Sequence, residues 1–106
     1  MNGFEDREKG FEAKYRVDEE TKFKIIARRN KLLGEWAADR MGLSGEAIAA
    51  YARDVVAADF EKPGDDDVIA KVLDDLGNKG VGVSEADIRK KLDELSVVAR
   101  NQIVNR

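Results

Sequence analysis

The stretch Phe23-Lys24-Ile25-Ile26-Ala27-Arg28-Arg29-Asn30-Lys31-Leu32-Leu33-Gly34-Glu35-Trp36-Ala37-Ala38-Asp39-Arg40-Met41 decides the fold class. Phe23, Ile26, Leu33, Trp36, Ala37 and Met41 share one broad face at helical spacing, with Ile25 and Leu32 beside it. Lys24, Arg28, Lys31, Glu35 and Asp39 fall on the opposite side. This pattern predicts an amphipathic core helix, and Gly42 is its natural stop. Gly34 in the interior costs about 1 kcal/mol relative to Ala. Close approach of a neighbouring helix is a reason to keep it.

Downstream the same period repeats. Ser44 is expected to cap a helix over residues 45–60, with Ile48, Tyr51, Ala52, Val55, Val56 and Phe60 as its stripe. Pro63, the sole proline, ends that helix and biases Lys62 away from helical backbone. A third helix starts near Asp65. Its run Asp65-Asp66-Asp67 opposes the positive end of the helix dipole, and Val68, Ile69, Val72, Leu73 and Leu76 form its apolar face. Gly77 is expected as the left-handed residue that closes it. Ser84, with Asp87 three residues on, predicts a capping box. It opens a fourth helix whose stripe is Ile88, Leu92, Leu95, Val98, Ala99 and Ile103. The expected architecture is all-α, a four-helix bundle over residues 21–106.

Upstream, residues 1–20 are a different material. Phe4, Phe11 and Tyr15 share a narrow helical stripe, and nearly everything around them is charged or small. Three aromatics cannot offset the ordering of some 20 residues at ~1–2 kcal/mol each. Local signals nevertheless favour helix, with Asn2 as a cap and Glu5/Lys9 and Glu12/Arg16 as pairs four apart. The expectation is a mobile arm that becomes helical when a partner cleft accepts its aromatic edge. The competing expectation is that the three aromatics fold back onto the bundle.

Composition narrows the chemistry. The 106 residues hold 39% charged side chains, no Cys and no His. That removes disulfides, thiolate metal sites, cysteine nucleophiles and any Ser-His-Asp triad. The net charge of −3 argues against a general nucleic-acid binder. Charge is uneven along the chain, with a basic block over residues 21–40 and an acidic one over residues 41–80. Asp65-Asp66-Asp67 fails as a calcium loop, because Ala70 and Leu76 stand where Gly and Glu are required. Gly77, Gly80 and Gly82 match no dinucleotide fingerprint, and no phosphate-loop motif occurs. No metal, cofactor, catalytic residue or membrane insertion is expected. Arg28, Arg29 and Lys31 form the densest basic patch and are candidates for touching phosphate or an acidic partner. The plainer reading is a solvated face paired with the acidic middle of the chain.

Several stretches carry a family resemblance. They are Phe4-Glu5-Asp6-Arg7-Glu8, Glu12-Ala13-Lys14, Ala27-Arg28-Arg29-Asn30-Lys31-Leu32-Leu33-Gly34-Glu35-Trp36-Ala37-Ala38 and Asp59-Phe60-Glu61-Lys62-Pro63-Gly64-Asp65-Asp66-Asp67-Val68, supported by Ala99-Arg100-Asn101-Gln102-Ile103. Over essentially its whole length the chain resembles the zeta subunits of alphaproteobacterial ATP synthases. The resemblance implies a non-enzymatic inhibitor of ATP hydrolysis by the F1 sector, contacting its alpha, beta and gamma subunits. It implies a protein that is monomeric when free, cytoplasmic, and peripheral to the inner membrane through the synthase. It further implies that a mobile N-terminal segment enters a catalytic subunit interface near the rotor stalk. Carried onto this chain, the contacts are Phe4, Arg7, Glu8, Phe11, Glu12, Lys14 and Tyr15. Two readings from other classes stand beside it: a helical adaptor, and a nucleotide-sensing module built on Arg28, Arg29 or Lys31.

Overall fold

The structure, a computed structural model, describes residues 19–59 and 64–105. Among them the regular elements are four α-helices: α1 (Glu19–Arg40), α2 (Glu46–Ala58), α3 (Asp66–Asn78) and α4 (Glu85–Val104). The all-α expectation holds. The arm expected over residues 1–20 lies outside the described residues up to position 18, as does the stripe residue Phe60.

Helix α1 is the hub. It packs along both α2 and α4, and α3 bridges α2 to α4 while touching α1 more lightly. Among the described residues α2 and α4 do not meet each other. The core follows from the apolar stripes: Leu33 and Ala37 from α1, Val55 from α2, Val68, Ile69, Val72 and Leu76 from α3, and Ile88 and Leu92 from α4. Trp36, Met41, Tyr51, Leu73 and Leu95 close over it.

Gly34 is a contact point between helices. A Cβ at this position would lie 2.7 Å from the Cα of Ala52 and 3.2 Å from a Val55 methyl. The missing side chain lets the α1 and α2 backbones cross at close range.

The helix ends confirm some local expectations and correct others. Ser84 and Asp87 form the full capping box, each side chain bonded to the other's backbone N–H at 3.1 Å. The bond from the Ser84 backbone N–H holds the Asp87 carboxyl below the usual carboxylate range. Gly42 stops α1 as expected, at φ 81°.

Ser44 does not cap α2. Gly45 takes the N-cap position at φ 59°, and no side chain caps the helix there. Nor does Gly77 close α3. The helix runs on to Asn78, and Gly80 supplies the left-handed residue at φ 76°. The N–H of Val81 then bonds the Leu76 carbonyl at 2.9 Å, and that of Gly80 bonds the Gly77 carbonyl at 3.0 Å. Two glycines three apart offered two stopping points. The later one prevails because it lets Val81 follow directly and pack on the core.

Phe23, Ile26 and Val98 were expected on core faces. They are 54%, 40% and 40% exposed. Their periodicity is correct, but α3 is only 13 residues long and does not reach these ends of the longer α1 and α4.

Two polar ties hold the periphery. Tyr51 on α2 donates to Asp75 on α3 at 2.8 Å, and Lys71 reaches the same carboxylate oxygen at 3.0 Å. Burial and the bond to Asp75 push the Tyr51 phenol far above its ordinary value, so it stays a donor at every physiological pH. Two cations approach the Trp36 ring, Arg40 at 5.4 Å and Lys91 of α4 at 5.8 Å from its centre.

Candidate functional site

The signature stretch around Arg29 builds a buried polar knot. Arg29 and Asn30 sit on the inward side of α1, 8% and 0% exposed. The Arg29 Nη2 donates to Asp65 Oδ1 at 2.8 Å, and Nε and Nη2 both donate to Asn30 Oδ1, at 3.1 and 3.0 Å. Asp65 is the N-cap residue of α3 but makes no capping bond; its carboxylate faces Arg29 instead. The knot thereby fastens the start of α3 to the middle of α1. Removing one member of such a pair would strand the other in a poorly solvated place.

Asp59, at the end of α2, faces the same knot. Burial raises its carboxyl above the ordinary value. Arg29 and the Asn30 amide pull it down, and the charges of Asp65 and Asp67 push it up again. The Asn30 amide acts there at a distance, since Nδ2 has no hydrogen-bond partner among the described residues. A raised carboxyl favours the folded state most when protonated. That contribution is complete below the unfolded-state value and is lost as pH rises through the raised one. Asp59→Asn is therefore expected to leave stability at neutral pH equal or higher, by about 0.5 kcal/mol at most for a partly solvated group. It should also flatten the loss of stability on leaving the acid range. Urea melts of both proteins across that range check the sign.

Outward from the knot, α1 floors an open groove. Thr21, Phe23, Lys24, Ala27, Arg28 and Lys31 line it, with Val56 of α2 on one wall and Ile103 of α4 on the other, around a volume of about 560 Å³. A second hollow of about 370 Å³ shares Lys31 and Val56 and extends along α2 past Ala49, Ala52 and Arg53. The groove exists because α2 and α4 flank α1 without meeting. Its floor is apolar and its rim cationic. Arg28 bonds Gln102 of α4 at 3.4 Å, and Lys24 pairs with Glu20 at 3.5 Å.

The three basic candidates thus separate. Arg28 and Lys31 stand at the groove, whereas Arg29 is turned inward with its guanidinium committed to Asp65 and Asn30. The arm candidates Phe4, Arg7, Glu8, Phe11, Glu12, Lys14 and Tyr15 lie outside the described residues. Sequence reasoning missed the inward Asn30 and the groove itself. The available signal for Asn30 was its place four residues before the tightly packed Gly34. No described helix is long and apolar enough to cross a membrane.

The described residues thus form a small helical body with a buried polar knot and a groove along α1. The family model for the ATPase inhibitor subunit zeta matches residues 1–102, and the chain belongs to that family. It is also similar to a solved structure titled "Solution NMR structure of the protein", at 48% sequence identity and a TM-score of 0.70. That match covers 78% of this chain and 94% of the other. No curated protein sequence matches the chain.

Proposed function

We propose that this chain inhibits ATP hydrolysis by the F1 sector of an ATP synthase, without catalysing a reaction itself. Residues 2–15 insert at an interface between catalytic and non-catalytic subunits near the rotor stalk, and the four-helix body holds them there. In this reading the arm contacts the alpha, beta and gamma subunits through Phe4, Arg7, Glu8, Phe11, Glu12, Lys14 and Tyr15. The free protein is a monomer that works at the cytoplasmic side, peripheral to the membrane through the synthase.

The observation that carries the proposal is the extent of the family match. It begins at residue 1 and runs to residue 102, and so covers the proposed arm as well as the body. The physics agrees with it. An aromatic stripe supplies anchors, ordering of the arm moderates affinity, and the charged flanks govern encounter.

The test is direct. Purified protein added to the isolated F1 sector should slow ATP hydrolysis progressively toward a plateau, as an arm orders on its target. A hydrolysis rate unchanged at saturating protein would reject the proposal. Raised ionic strength should slow the onset, because rim charges act on association.

A further inference from the structure

We propose that Asp59 and Asp65 share a proton that acts as a latch: protonated Asp59 donates its O–H to the Asp65 carboxylate while its carbonyl oxygen accepts from Asn30 Nδ2. The end of α2 is then tied to the middle of α1 and to the start of α3. Closing takes up one proton from solvent, and opening returns it.

Three observations carry this. First, Asn30 has a donor to give and no freedom to turn it elsewhere. The residue is fully buried, and Nδ2 has no hydrogen-bond partner among the described residues. Its Oδ1 accepts from Arg29 Nε and Nη2, so a flipped amide would set an NH2 group against a guanidinium. A buried donor in this state costs ~1–3 kcal/mol, which favours any acceptor brought to it.

Second, Asp59 is the carboxyl that faces this donor. It is the C-cap residue of α2, where its backbone N–H bonds the Val56 carbonyl at 3.2 Å, and the Asn30 amide is among the groups that act on its side chain. Third, the charge around it is out of balance. Asp59 faces Arg29 from α1, and Asp65 and Asp67 from the start of α3. Among the described residues α4 does not pack on α2. Arg29 is already committed to Asp65 at 2.8 Å. Three carboxylates around one guanidinium leave a surplus of negative charge, and a single shared proton reduces it. Asp65 spends Oδ1 on Arg29, which leaves Oδ2 to accept from a protonated neighbour. The proton resides on Asp59 because Asp65 carries the ion pair, and the raised Asp59 carboxyl agrees with that assignment.

Such a pair senses protons without histidine, which this chain lacks. Val56 lies one turn before Asp59 and walls the groove on α1, so closing the latch firms that wall as pH falls. The latch belongs to the body alone and is read on the free protein, so it stands or falls separately from the inhibition assay.

The full chain and its Asp59→Asn and Asp59→Ala variants, followed by NMR from neutral pH into the acid range, test this. In the unaltered chain the Asn30 side-chain amide signals should move with the same midpoint as the Asp59 carboxyl carbon, above the ordinary aspartate value. Asp59→Asn offers the same donor and acceptor as the protonated acid, so its Asn30 signals should stay near the acid position at every pH. Asp59→Ala offers neither, so its Asn30 signals should stay near the neutral position. Exchange protection of the backbone amides of residues 57–59, corrected for the intrinsic pH dependence of exchange, should be at least ~2-fold higher in acid, the effect of one net hydrogen bond. In Asp59→Asn that extra protection should persist at neutral pH. Asn30 signals that ignore the Asp59 titration, an Asp59 midpoint at the ordinary value, or identical behaviour of the two variants would each overturn the proposal.

Discussion

Deleting residues 1–16 is expected to leave a folded four-helix body that no longer slows ATP hydrolysis by the isolated F1 sector. The body supplies its own stability. Leu33, Val55, Val68, Val72, Leu76 and Ile88 are all fully buried among the described helices, and each lies downstream of the deletion. The inhibitory energy, by contrast, is assigned to the three aromatics and their flanking charges. Anchors of this kind are worth ~2 kcal/mol or more each when fully enclosed, so losing all three should raise the half-inhibitory concentration at least ~100-fold. Circular dichroism should show helical content reduced by no more than the deleted segment, with a cooperative melt retained. An inhibition curve that superimposes on that of the full chain would remove the arm from the mechanism and return attention to the body.

Gly34→Ala is expected to destabilise the protein, although Ala is the better helix former by about 1 kcal/mol. The added methyl would meet backbone, the Ala52 Cα at 2.7 Å, and backbone cannot rotate aside as a flexible side chain can. The α1 and α2 axes must separate, which loosens Leu33 and Val55 as well. Overpacking of this sort costs ~1–3 kcal/mol, enough to outweigh the propensity gain. For a domain of this size each ~1 kcal/mol lowers Tm by ~4–8 °C. Thermal melts of the variant should therefore fall several degrees below wild type. A rise in Tm would mean that helix propensity dominates at this position and that the crossing is looser than described.

The arm and the helices differ in how they can be read. Helix α4 was legible almost residue by residue, because its capping box and stripe are local properties of Ser84, Asp87 and the residues three and four apart that follow. The stop at Gly42 was legible for the same reason. The stop of α3 was not. Gly77 and Gly80 are equally able to end a helix locally, and only the placement of Val81 on the core distinguishes them. Ser44 likewise lost its expected role when Gly45 provided the N-cap conformation one residue later.

In the candidate site the split is sharper. The run Arg28-Arg29-Asn30-Lys31 reads as one basic patch along the chain, yet α1 turns Arg29 and Asn30 inward and leaves Arg28 and Lys31 at the groove. Which cation is spent inside depends on where Asp65 arrives, and Asp65 comes from a helix 36 positions away in sequence. Phe23 and Val98 carry a correct apolar period and still stand exposed, because burial depends on the length of the neighbouring helix.

The order of amino acids by itself determined four helices, the stop at Gly42, the cap at Ser84, and the contrast between an aromatic arm and an apolar body. Those properties arise from interactions within a few residues, so periodicity and capping reveal them. Only the tertiary structure decided that α1 is the hub, that α2 is the helix that Gly34 lets approach, that Arg29 is a buried tie and that, among the described residues, a groove with a cationic rim runs between α2 and α4. Each of these depends on two segments distant in sequence meeting in space, and the spacing of residues along one helix carries no record of its partner.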